Sequence, residues 1–294
     1  MHSAFANGVR LEYEIRGAGS SVSLIHLSLC ADSFATLMDQ PALAGYQLIR
    51  HHRRGYAGSS QTAGPVAIAD QAADLAGLLD SLGVQRAHIV GHSYGGLVAL
   101  QLALDRPDLV ASLALMESAL RVRSGGPASQ ELSKHMTAAM QRYREGDRAG
   151  AVDCWLTAVF APGYRQLLDH HFPGSWEQAI KDADTFFGIE VPELQRWQFG
   201  RAEAARINVP VLSMVGSESD PAFFEMEQLL RGLLPQLETA RMPGLNHLLC
   251  MRKPEPVAKT LADFFAKHSQ IQMGPDGRKT PLIEIRDQGS VDAS

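Results

Sequence analysis

The stretch Gly91-His92-Ser93-Tyr94-Gly95-Gly96 constrains this chain more than any other. An apolar run, Ala87-His88-Ile89-Val90, comes before it and predicts a short buried strand, while Leu97 to Leu104 follows and predicts a helix. Between the two, G-x-S-x-G has room only for a sharp turn. A side chain at Gly91 or Gly95 would collide with the adjoining strand and helix, and the backbone of the serine itself is strained. Ser93 is then presented at the C-terminal end of a strand and the N-terminus of a helix, where the dipole favours developing negative charge. A bare G-x-S-x-G also occurs as an ordinary glycine-rich turn. A strand and a helix in the required places favour the elbow.

Around this point the chain alternates strands with helices. Asn7-Gly8 signals a hairpin turn before an alternating strand from Val9 to Arg16. Strands over Ser21 to Leu27, Tyr46 to His51 and Leu109 to Met116 alternate with helices over about Ser33 to Leu43 and Asp70 to Leu82. Such a series predicts an α/β fold, with a mostly parallel central sheet covered by helices on both faces. From about Ser118 to Arg206 the strand-type runs vanish. Helical stretches replace them: Ser129 to Arg144, Arg148 to Phe160, Tyr164 to His171, Ser175 to Phe187 and a short one near Pro192. The alternation resumes with a strand from Val209 to Val215, a helix from Phe223 to Leu234, a strand from Glu238 to Met242 and a helix from Pro254 to His268. The organisation expected is therefore a core of 1–117 and 207–268, an inserted helical lid of 118–206, and a polar tail of 269–294. Within the tail, Pro281 to Arg286 suits a strand against the body or a partner subunit, which leaves a homo-oligomer open.

Composition excludes some partners. A net charge of −5 with no long Lys/Arg block argues against nucleic acid and anionic membranes. No apolar run reaches spanning length, and the first residues lack the basic and apolar regions of a secretory signal. Cys30, Cys154 and Cys250 are widely spaced and suit free thiols in a reducing cytoplasm. The adjacent pairs His51-His52 and His170-His171 give no metal-ligand spacing, and no motif asks for a cofactor.

Beyond the elbow, three further segments carry a family likeness. Arg54-Gly55-Tyr56-Ala57-Gly58-Ser59, Pro243-Gly244-Leu245-Asn246-His247, and His26 at the end of its strand together resemble the α/β-hydrolase fold superfamily over roughly residues 5 to 268. There are departures. His52 stands where the family usually has Asp, Ala57 displaces the second glycine of its segment, and Leu27 replaces the glycine that usually follows His26. The resemblance implies a serine hydrolase. With serine rather than aspartate as nucleophile, epoxide hydrolase and dehalogenase chemistry are disfavoured.

Acyl transfer explains why these parts must meet. A serine hydroxyl attacks only as a base removes its proton, and the histidine of the last loop, His247, is the candidate base. A carboxylate must hold that imidazole. The reading favours Glu117, at the end of the strand after the elbow helix, with Asp220 as the alternative. In the family the acid usually lies three residues after a glycine. Counting from Gly216, that position holds Ser219, so Asp220 is one residue late. The oxyanion donors expected are the amides of Tyr94 and of Leu27 or Ser28. Lid aromatics, chiefly Trp155, Trp176, Phe186 and Trp197, are candidates to line an apolar pocket. The substrate expected is a medium-sized apolar or aromatic ester or lactone. The alternative is a ligand-binding or receptor-like member with little turnover, kept open by the altered loops.

Overall fold

The computed structural model describes residues 1–62, 64–120, 126–269, 271–273 and 279–281. Eight strands form the main sheet: β1 (His2–Ala6), β2 (Val9–Arg16), β3 (Ser20–Ile25), β4 (Tyr46–His51), β5 (Ala87–His92), β6 (Val110–Met116), β7 (Val211–Gly216) and β8 (Leu237–Met242). Their spatial order is β1-β2-β4-β3-β5-β6-β7-β8. The hairpin β1–β2 turns at Asn7-Gly8, and β2 pairs antiparallel with β4. Every later pairing is parallel.

Side chains alternate between the faces of this sheet, as a period of two requires. On one face Ile25, Ile89, Leu113 and Leu115 join α1 (Ile68–Ser81) and α2 (Tyr94–Asp105). On the other, Val22, Leu24, Val90, Ala114 and Met116 pack with Phe34 and Leu37, and with Val257, Leu261 and Phe265 of a C-terminal helix. Strand β5 is buried along its whole length, and its end delivers Ser93.

Between β6 and β7 lie α3 (Pro127–Arg144), α4 (Arg148–Phe160), α5 (Tyr164–His171), α6 (Ser175–Lys181), α7 (Ala183–Thr185), a π-helical turn (Phe186–Glu190), α8 (Val191–Arg196) and α9 (Arg201–Ala204). These helices have their own apolar core, which continues onto Leu27, Leu29 and Cys30 of the sheet domain. In its described part, the range expected as a helical lid, 118–206, holds these helices. Residues 121–125 fall outside the described residues, as do 282–286 of the strand expected in the tail. After β7 come α10 (Pro221–Leu233) and, following β8, α11 (Pro254–Ser269). Among the described residues the short strands β9 (Ile271–Met273) and β10 (Lys279–Pro281) pair with each other, antiparallel.

Two expectations need correction. The helix expected from Ser33 to Leu43 is a series of turns ending in a 3-10 turn at Pro41–Leu43. Pro41 disfavours a helical Gln40, and mixed i→i+3 and i→i+4 bonds from Leu37 and Met38 to Phe34 replace a regular ladder. Phe34, Leu37 and Met38 still bury their side chains, which is what the apolar pattern recorded. The single helix expected from Ser175 to Phe187 is broken, with α6 giving way to the π-helical turn.

Asp182, between α6 and α7, packs the lid onto the core. Its Oδ1 accepts from the amide of Ala57 at 3.3 Å and from Gln178 Nε2 at 2.9 Å, while Oδ2 is buried without a partner among the described residues. Burial raises its pKa to about 6 from an ordinary 3.8. Because the folded value is raised, the unfolded chain ionises first, so this group's own contribution to stability is fully present below about pH 4 and is lost as pH rises towards 6. Asp182→Asn keeps the Oδ1 acceptor and removes the charge. It should raise Tm by a few degrees at pH 8 and leave it unchanged at pH 4, as thermal unfolding at the two pH values would show.

Candidate active site

Ser93 stands at φ 53° and ψ −117°, a strained backbone held by bonds on both sides. Its N–H donates to Met116 O at 2.9 Å, and its carbonyl accepts from Gly96 N at 3.0 Å and Ala119 N at 3.1 Å. A Cβ on Gly95 would sit 2.3 Å from Ile25 O, and one on Gly91 would sit 2.4 Å from Gly95 O. The glycines are therefore required by contact with neighbouring backbone.

Those bonds also tie the elbow to the end of β6, where Glu117 follows at φ 44°. Glu117 is 2% exposed, and its Oε2 lies 2.6 Å from Nδ1 of His247, itself 2% exposed. The other carboxylate oxygen accepts from the amide of Gly216 at 2.7 Å and from the Ser219 hydroxyl. Ser219 occupies the place three residues after the glycine, and from there it donates to the Glu117 carboxylate. Asp220 does different work. Its Oδ1 accepts from Ala222 N at 2.8 Å and caps α10.

The imidazole of His247 is fixed from several directions. Phe223 stacks on it at 4.2 Å between centroids with planes 15° apart, and His92 meets it edge-on at 4.8 Å. Asn246 anchors the loop by donating to Phe160 O at 2.7 Å and accepting from Leu248 N at 3.1 Å. His92 is fully buried, and burial holds it well below the ordinary histidine range, in the neutral form.

The loop after β3 is ordered by His26. Its Nε2 accepts from the amide of Arg53 at 3.0 Å, so the ring proton lies on Nδ1 and donates to Leu27 O at 2.6 Å. Burial and the nearby Arg53 charge keep this ring neutral. In a trans peptide the N–H points opposite the carbonyl, so fixing Leu27 O also fixes the Ser28 N–H. The amide of Tyr94 opens α2, where a helix cannot satisfy it internally.

Ser93, Tyr94, Leu27, Ser28 and His247 all line one cavity of about 670 Å³, roofed by Trp155, Leu156, Phe186 and Val191 of the lid. Of the four aromatics expected there, Trp155 and Phe186 line it. Trp176 and Trp197 do not. Trp176 lies under the Arg165 guanidinium at 3.7 Å beside Tyr164, and Trp197 donates to Gln101 Oε1 at 2.8 Å while stacking on Phe199. Each is spent fastening the lid to itself or to α2. Phe223 and Met226 of α10 complete the lining, and no local signal in the sequence marks them. Cys30 and Cys250 are buried, Cys154 is half-buried, and all three are free thiols.

A family model of the alpha/beta hydrolase fold matches residues 24–254. The chain belongs to the α/β-hydrolase fold family. Among curated members it is similar to RutD of Azorhizobium caulinodans, named as a carbamate hydrolase, at 25% identity over 92% of this chain and the whole of that one. Among solved structures it is similar to a thermophilic esterase from Thermogutta terrifontis, with a TM-score of 0.76 and 20% identity over 91% of this chain and all of that one. It is also similar to the enol-lactonase of Burkholderia xenovorans LB400, with a TM-score of 0.71 and 22% identity over 90% of this chain and all of that one. Within this α/β-hydrolase the lid, elbow and histidine loop converge on one cavity, and no helix among the described residues is long and apolar enough to cross a membrane.

Proposed function

We propose that this α/β-hydrolase is a serine hydrolase that cleaves a medium-sized apolar or aromatic ester or lactone through an acyl-enzyme on Ser93. The observation that carries the reading is the Glu117–His247 contact of 2.6 Å, with His247 and the strained Ser93 both on the wall of one cavity. In this mechanism neutral His247 takes the Ser93 proton as Oγ attacks the carbonyl carbon, and Glu117 stabilises the imidazolium that forms. The carbonyl oxygen gains negative charge against the amides of Tyr94 and Ser28. Protonated His247 then passes its proton to the departing alcohol oxygen. Water repeats the sequence on the acyl-enzyme, with His247 again as base. The cavity wall of Leu27, Leu132, Trp155, Leu156, Val159, Phe186 and Phe223 supports an apolar acyl or aromatic group.

Turnover of p-nitrophenyl butyrate, followed by a panel of small esters, lactones and carbamates, tests the reading and ranks the substrates. The carbamates enter because of the name carried by RutD. An inert protein that binds panel members without cleaving them would return the receptor-like alternative. The pH profile offers a second check. Since the base must be neutral, kcat/KM should fall on the acid side, approaching tenfold per pH unit. A flat profile with chemistry rate-limiting would remove His247 from the role.

A further inference from the structure

The run from Asp182 to Glu193 makes several of the bonds between the lid and the core. Thr185 Oγ1 donates to Gly55 O at 2.7 Å, Glu193 Oε1 accepts from Ile68 N at 3.2 Å, and Asp182 accepts from Ala57 N. These three contacts reach only loop or helix-end backbone. Glu190 reaches further. It is fully buried, its Oε1 pairs with the Arg53 guanidinium, and its Oε2 accepts from Tyr56 Oη at 2.7 Å and Ser28 Oγ at 2.5 Å. Arg53 is 1% exposed and also donates to Gln71 Oε1 at 2.7 Å. The π-helical turn makes this reach available. Glu190 follows Thr185 by five positions, a spacing that shares a face when the turn is widened but diverges in a regular α-helix.

We infer that Glu190 is a positioning residue for the oxyanion hole: by holding the Ser28 hydroxyl it fixes the peptide whose N–H faces the developing oxyanion, so the hole is complete only when the lid is seated. The inference rests on the serine-hydrolase reading above. The Leu27–Ser28 peptide is pinned twice, by His26 from the sheet domain and by Glu190 from the lid. The first bond sets the plane of the peptide. The second stops Ser28 from turning about it. A donor held in place before reaction costs no reorganisation as charge develops, and that is the source of oxyanion-hole catalysis.

Glu190→Gln leaves the Arg53 charge buried without its partner and endangers the fold, so the decisive variants are at Ser28. Ser28→Ala removes the tether and keeps the Arg53–Glu190 pair and the backbone N–H. On p-nitrophenyl butyrate it should lose roughly ten- to hundredfold in kcat, with KM within about threefold. The inhibition constant of a trifluoromethyl ketone, whose adduct with Ser93 carries the oxyanion, should weaken by the factor lost in kcat/KM. Ser28→Thr restores a hydroxyl and should recover most of both. Throughout, a fluorophosphonate should still label Ser93 in the wild type. If labelling holds while Ser28→Ala leaves kcat and ketone affinity unchanged, Glu190 only fastens the lid and the inference is wrong. It is equally wrong if the variant loses only thermal stability or raises only KM. Absence of labelling in the wild type would instead overturn the serine-hydrolase reading, and this inference with it.

Discussion

Ser93→Ala should cost at least a thousandfold in kcat on any ester the protein turns over, while the variant folds and melts like the wild type. The size of the loss follows from covalency. Without Oγ no acyl-enzyme forms, and only the oxyanion amides and the positioned imidazole remain to assist direct attack by water. The fold should survive because the elbow is held by backbone bonds of Ser93 to Met116, Gly96 and Ala119, none of which uses the hydroxyl. Alanine meets the same strain at φ 53° that serine does. A fluorophosphonate probe should label the wild type and leave the variant unlabelled. Retention of most of the activity would mean that another group attacks the substrate.

The elbow is legible in the sequence because its signal is local. Two glycines, an apolar strand and a helix lie within about twenty residues, and the collisions that demand glycine at 91 and 95 come from backbone that any such turn would bring near. His247 is legible for a similar reason, since one loop after the last strand carries it to the same end of the sheet. The parallel sheet follows from apolar strand runs alternating with helices. What cannot be read depends on contacts across long separations. Glu190 meets Arg53 across 137 residues, and a lone glutamate in a helical run looks like a solvated face. The π-helical turn that aims it leaves no mark in propensity. Trp176 and Trp197 mislead because an aromatic can fasten a lid or line its cavity with the same composition. Only the partners, Arg165 and Gln101, distinguish the two.

Glu117→Gln should be nearly inactive, on the order of ten-thousandfold down in kcat, whereas Asp220→Asn should stay within roughly tenfold of wild type. The two candidates cannot be separated by counting residues, and the geometry distinguishes what each substitution would do. Glutamine is close to glutamate in shape, and its amide oxygen can still accept from Gly216 N and the Ser219 hydroxyl. That choice turns the amide NH₂ towards Nδ1 of His247, where the carboxylate stood at 2.6 Å. An N–H donor there demands a bare Nδ1, so the ring proton moves to Nε2. The nitrogen that should take the Ser93 proton is then already protonated, and the charge that would stabilise an imidazolium is gone. Tautomer and electrostatics fail together. Asp220 makes one bond that matters, the cap to Ala222 N at 2.8 Å, and asparagine caps a helix about as well as aspartate. Its substitution should therefore leave kcat and Tm almost as they were. The reverse ranking would assign the acid to Asp220, and comparable collapse in both would mean that the end of β7 and Glu117 act as one unit through Ser219.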